Sequence, residues 1–152
     1  MSEKVKVLFL CIHNAARSRM AEALLLKHGG DRFEVTSAGF EPTEANPLVV
    51  EALAEIGLSL PSTARQPSVF DLFKACRHFH YVISVCDEGT AQRCPIFPGV
   101  TKRLAWSFPD PSAFTGTHAR KLARVVEVRD AIEARILEWL PTLRGPSSKA
   151  ST

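Results

Sequence analysis

The sequence predicts an α/β domain with a parallel sheet, on three observations. Apolar, β-branched runs of strand length alternate with segments of helical period, the pattern of β-α units. The first run, residues 4–10 ("KVKVLFL"), stays apolar to its end, as a strand covered on both faces does. With 152 residues the chain is long enough for one domain with a sizeable core.

The elements follow in order. Residues 18–28 read as a helix with Met20, Ala21, Leu24 and Leu25 on one face, stopped by Gly29-Gly30. "FEVTSAG" reads as the second strand. Asn46-Pro47 opens a helix with proline at the tolerated first position, running through Leu53 and Ile56 to Gly57. "SVFDLFKAC" reads as a shorter helix with Cys76 on its apolar face, a core position. "FHYVISVC" is the third strand and "TKRLAW" the fourth. Residues 118–140 form a long helix with Val125, Val128, Ile132 and Ile136 inward, and the basic stretch 120–129 is its solvated face. The expected division is one domain over residues 1–142 and a disordered polar tail over 143–152, containing "RGPSSKAST".

Bulk properties narrow the function. A net charge of +3 argues for neither nucleic acid nor a membrane surface as partner. No apolar run approaches the ~20 residues of a membrane helix, and the start has no signal-peptide pattern. The expected compartment is the cytoplasm, where the four cysteines, Cys11, Cys76, Cys86 and Cys94, stay reduced. No metal site is expected, because no Cys/His ligand spacing occurs, and His78 with His80 lacks a third ligand.

The chemistry concentrates after the first strand, in "CIHNAARS". Cys11 stands at the strand end, a short turn follows, and a helix begins near Ser18. Ligands of parallel sheets bind beyond the carboxyl ends of the strands, where Cys11, Ser37 and Cys86 all fall. Backbone N–H groups of the turn and the positive end of the helix favour an anion, and the same field favours the thiolate of Cys11. Arg17 offers a planar fork to a tetrahedral oxyanion, and Ser18 a hydroxyl to the thiolate. Asn14 tolerates a left-handed turn. In "WSFPDPSAF", Asp110 stands between two prolines, a stiff mount for an acid that protonates a leaving oxygen. Trp106, Phe108 and Phe40 are candidate pocket walls, with core packing as the simpler role.

Taken in order, the opening stretch, "VTSAGFEP", "NP", "VISVC", "RCP" and "WSFPDP" resemble the low-molecular-weight protein tyrosine phosphatase superfamily and its thioredoxin-coupled arsenate reductase branch. The resemblance implies a three-layer α/β/α fold with a four-stranded parallel sheet. It implies Cys11 as nucleophile, Ser18 as thiolate stabiliser and Asp110 as general acid. The backbone of Ile12, His13, Asn14, Ala15, Ala16 and Arg17, with the Arg17 side chain, would bind the oxyanion. Asn14 and Ser37 match loop-bracing positions. A monovalent cation near Asn14, Glu22 and Ser37 is a further implication; no other cofactor is expected.

Within the superfamily two activities compete. Phosphatases often carry a second cysteine before the loop arginine, where this chain has Ala16, and aromatic residues just after the general acid, where it has Ser112 and Ala113 before Phe114. The reductases use two further cysteines, matched here by Cys86 and Cys94. The reading is an arsenate reductase with a Cys11/Cys86/Cys94 relay and thioredoxin or a similar thiol as reductant. The alternative is a phosphatase that hydrolyses phosphate monoesters through a Cys11 phosphocysteine. A silent oxyanion-binding or redox-sensing module is a third reading, which the complete set of Cys11, Arg17, Ser18 and Asp110 argues against.

Overall fold

The computed structural model describes residues 4–12, 16–60, 64, 66, 68–85, 102–109 and 111–143. Four parallel strands form one sheet in the order β2-β1-β3-β4: β1 Val5–Cys11, β2 Phe33–Gly39, β3 Tyr81–Ser84 and β4 Lys102–Ala105. The described helices are α1 Arg17–Gly29, α2 Pro47–Ala54, α3 Val69–Lys74 and α4 His118–Trp139. None is long and apolar enough to cross a membrane.

Alternation along β1 builds two cores. Val7, Phe9 and Cys11 face the larger one, with residues of α1, α2 and α4, while Leu8 and Leu10 face the smaller one with Val69 and Leu72 of α3. Helices therefore cover both faces, as a parallel sheet requires. The larger core is fixed by aromatic packing: Trp106 meets Phe9 at 6.1 Å and Trp139 at 5.6 Å between ring centroids. Trp106 is thus a core residue, 4% exposed.

β1 lies between β2 and β3, so the chain switches direction of travel across the sheet at the β1/β3 boundary. Cys11 closes β1 opposite Gly39, and the Val85 N–H donates to the Leu10 carbonyl at 2.9 Å. The carboxyl ends of three strands thereby converge on Cys11, at the sheet edge where such sheets bind ligands.

Local chemistry sets the helix ends. Asn46 caps α2 by accepting from the Leu48 N–H, with Pro47 in the first turn. Ser68 and Asp71 form a reciprocal capping box on α3. α1 runs through Gly29, where any Cβ would sit inside the Phe33 ring, and stops at Gly30, whose φ of +59° is left-handed. Gly57, with φ +76°, turns the chain after α2, which ends three residues before it.

Two expectations are corrected. Cys76 is exposed, not core: α3 ends at Lys74, and Cys76 lies beyond it with φ +59°. Arg129 lies in the basic stretch read as solvated, yet it is 7% exposed. Its Nη1 donates to the Ala52 carbonyl at 2.6 Å and its Nη2 pairs with Asp130 at 2.8 Å. The guanidinium joins α4 to α2 instead of facing water. His78 and His80 precede β3 and meet edge-on at 5.5 Å, and His80 Nδ1 accepts from the Lys6 N–H.

Candidate active site

The strand-to-helix turn brings together the residues that the spacing of the opening stretch singled out. Cys11 is 2% exposed, and its Sγ lies 2.9 Å from Ser18 Oγ, itself fully buried. That distance is short for a sulfur–oxygen pair and places the hydroxyl where it can donate to a thiolate. Ser18 is the second residue of α1, so the contact also fixes the helix start against the strand end.

Among the described residues, no side chain caps the start of α1. Its N-cap is Ala16, which forms no side-chain hydrogen bond to the first turn. Most soluble helices satisfy these first N–H groups with a Ser, Thr, Asp or Asn. The positive end of the helix dipole lies beside Cys11 here, where it favours an anion. Among the other proposed cradle residues, Ile12 is half-buried and its carbonyl accepts from the Glu41 N–H at 2.9 Å, which ties the turn to the end of β2. His13, Asn14 and Ala15 lie outside the described residues.

Arg17 is buried at 8% exposure, and its Nη1 donates to the Phe108 carbonyl at 3.1 Å. This bond was not legible in the sequence. It fastens the Arg17 guanidinium to the segment leading from β4 into "PDP". Asp110 itself lies outside the described residues, as do Cys86, Cys94 and residues 144–152 of the tail. The sequence places Cys86 one residue beyond Val85, which is bonded to β1, and Asp110 two residues beyond Phe108.

Ser37 and Glu22 meet: Ser37 Oγ donates to Glu22 Oε1 at 2.7 Å. Burial pushes the Glu22 carboxyl up, opposed by the Ser37 hydrogen bond and by the charge of Arg19. Arg19 is the residue that sequence reasoning missed. It is 2% exposed, and its Nη2 donates to the Ala64 carbonyl at 2.6 Å. Burial pushes its guanidinium down, while the charges of Glu22 and Cys11 pull it back. The available signal was a charged residue in the first turn of a helix whose neighbours Ser18, Met20 and Ala21 are all core-compatible.

Phe114, the first aromatic after Asp110, is half-buried. It packs against the larger core, with the Arg124 guanidinium 4.4 Å above its centroid. Pro109, Phe114, Arg124, Glu127, Val128 and Ala131 line a small cavity of about 130 Å³ between this loop and α4.

The chain is similar to known proteins over most of its length. The family model described as low molecular weight phosphotyrosine protein phosphatase matches residues 6–148. A protein of Bacillus licheniformis named arsenate reductase is 37% identical over 142 residues, covering 93% of this chain and 99% of its own. The solved thioredoxin-dependent arsenate reductase of Corynebacterium glutamicum superposes with a TM-score of 0.70 at 33% identity. That match covers 94% of this chain, which spans only 63% of the solved one. An arsenate reductase structure from Archaeoglobus fulgidus gives a TM-score of 0.59 at 32% identity, covering 86% of this chain and 98% of its own.

Proposed function

The chain belongs to the low molecular weight phosphotyrosine protein phosphatase family, and from that premise we propose that it is an arsenate reductase whose nucleophile is Cys11. The observation that carries the reading is the Cys11–Ser18 contact at 2.9 Å at the start of α1. A buried thiol with a hydroxyl donor and a helix dipole behind it is a thiolate site, and Arg17 adds the oxyanion fork.

The proposed steps balance as follows. The Cys11 thiolate attacks arsenate; an S–As bond forms, an As–O bond breaks, and Asp110 protonates the departing oxygen to water. The Cys86 thiolate then attacks Cys11 Sγ. An S–S bond forms, the S–As electron pair passes to arsenic, and As(V) becomes As(III) as arsenite leaves. The Cys94 thiolate attacks Cys86 and releases Cys11 as thiolate. A dithiol reductant of thioredoxin type then reduces the Cys86–Cys94 disulfide. Two electrons enter from the reductant and two leave on arsenic. The position of Val85 beside β1 supports the second step, since Cys86 is the next residue.

The test is arsenate-dependent NADPH oxidation coupled through thioredoxin and its reductase. Sustained oxidation is expected in the wild type. Cys86→Ser and Cys94→Ser should each reduce it to background, while Cys86→Ser keeps any aryl phosphate hydrolysis. Aryl phosphate turnover without arsenite formation, even in a single turnover, would replace the reductase with the phosphatase.

A further inference from the structure

We propose that a cleft at the carboxyl-terminal end of α4 binds a small planar aromatic carboxylate. None of Cys11, Arg17 and Ser18 lines it, and the proposal depends neither on the nucleophile nor on the oxyanion it attacks.

The cleft has a volume of about 270 Å³ and is lined by Trp106, Arg135, Glu138, Trp139 and Thr142. Trp106 directly follows β4. Arg135, Glu138 and Trp139 belong to α4, and Thr142 lies in the 3₁₀ turn Leu140–Leu143 that continues it. The volume suits one ring with a short substituent. Cavities of about 150 Å³ already hold benzene, and sites for drug-sized ligands begin near ~300 Å³.

Two of the walls are aromatic and held from behind. The indoles of Trp106 and Trp139 meet at 76° with centroids 5.6 Å apart. Phe9 packs on Trp106 at 6.1 Å, and Tyr81 meets Trp139 edge-on at 5.2 Å. A corner made of two fixed rings receives a flat ring, which stacks on one and meets the edge of the other.

The polar groups of the cleft are mostly donors. Both tryptophans are more than nine-tenths buried, and a buried indole N–H ordinarily finds an acceptor. Within the described residues neither Nε1–H is given one, and neither nitrogen is sealed from solvent. Arg135 adds a cation, its guanidinium carbon 5.4 Å from the centre of the Trp106 ring. Its ion pair is a single contact, Nη1 to Glu138 Oε1 at 3.4 Å, between side chains 50% and 71% exposed. Such a pair is weak and gives way to a ligand carboxylate, which the guanidinium fork holds through two parallel hydrogen bonds. A flat apolar body with an anionic acceptor therefore satisfies rings and donors together. A cationic ring would meet Glu138, but it would face Arg135 and leave both indole N–H groups unbonded.

The test uses the full chain with benzoate as probe. The chain has 2 tryptophans, and both line the cleft, so the two indole N–H signals of a ¹⁵N-labelled sample report on it directly. Benzoate should shift at least one of them saturably, with half-saturation at or below about 1 mM. Acetate lacks the ring and benzamide lacks the charge, so each should need at least about tenfold more. Arg135→Gln should weaken benzoate about tenfold and leave benzamide within about twofold. Glu138→Gln removes the competing carboxylate and should tighten benzoate about two- to threefold. Both substituted side chains are exposed, so the variants keep the fold. Inorganic phosphate should leave both indole signals in place. Four results would overturn the proposal: no saturable indole shift with benzoate, equal benzoate affinity in wild type and Arg135→Gln, benzamide binding as tightly as benzoate, or an indole response to phosphate equal to that with benzoate.

Discussion

The two ends of α1 use polar residues in opposite ways. At its start Arg17, Ser18 and Arg19 are all buried, and each is tied to another part of the chain: Phe108, Cys11 and Ala64. At its end Lys27 and His28 are partly exposed and share a single carboxylate, Glu133 of α4. Burial makes the first set costly unless each contact is made, so those residues have one arrangement. Exposure makes the second set adaptable and weak. One helix thus carries a rigid chemical site at one end and a solvated seam at the other. What separates them is depth, since the sequence is as basic at one end as at the other.

The largest expected effect tests the rigid end. Arg17→Lys keeps the charge and loses the planar fork. Turnover of arsenate should fall by about 10²–10³-fold, the usual cost of removing an oxyanion donor. The substitution also breaks the bond to the Phe108 carbonyl, so the loop before Asp110 loses its anchor. Single-turnover arsenite formation measures it; a loss under about fivefold would show that the fork is not used. Ser18→Ala is the next step down. It removes one hydrogen bond to a charged sulfur, worth about 1.5–3 kcal/mol, so the rate should drop about 10–100-fold. Thermal melts should move less than the rate, because a hydrogen bond to sulfur strengthens only when Cys11 is ionised. An unaltered rate would mean that the helix dipole alone holds the thiolate.

The same contrast explains what the sequence made legible. β2 falls on "FEVTSAG" as expected, and β1 is offset by one residue, because apolar runs report directly on burial in a parallel sheet. Cys11, Arg17 and Ser18 were legible because their chemistry is local: all three lie within eight residues at one strand–helix junction. Arg19 and Arg129 were not, since periodicity treats a charged residue as solvent-facing and carries no information on a carbonyl contributed 45 or 77 residues away. The Phe108 anchor of Arg17, 91 residues distant, is of the same kind. Cys76 was misplaced for a different reason. The apolar spacing of "SVFDLFKAC" continues past Lys74, but the backbone turns left-handed at Cys76 and takes its side chain out of the helix pattern.

The smallest expected effect tests the solvated end. Glu133 Oε2 accepts from His28 Nε2 at 2.6 Å and pairs with Lys27 Nζ at 3.4 Å. The His28 hydrogen bond, chiefly, holds the Glu133 carboxyl below the usual carboxylate range. A depressed folded-state value means that the stabilisation is complete above the unfolded carboxylate value and fades as pH falls through the folded one. Glu133→Gln should therefore cost at most about 1 kcal/mol at neutral pH, a melting shift of roughly 2–4 °C. The gap between wild type and variant should narrow in acid and shrink with added salt. Arsenate turnover should be unchanged, since Lys27 and His28 stand at the opposite end of α1 from Ser18, the partner of Cys11. A loss well above 2 kcal/mol, or a gap that persists in acid, would mean that this seam is as constrained as the start of the helix. Depth alone would then not account for the difference between the two ends.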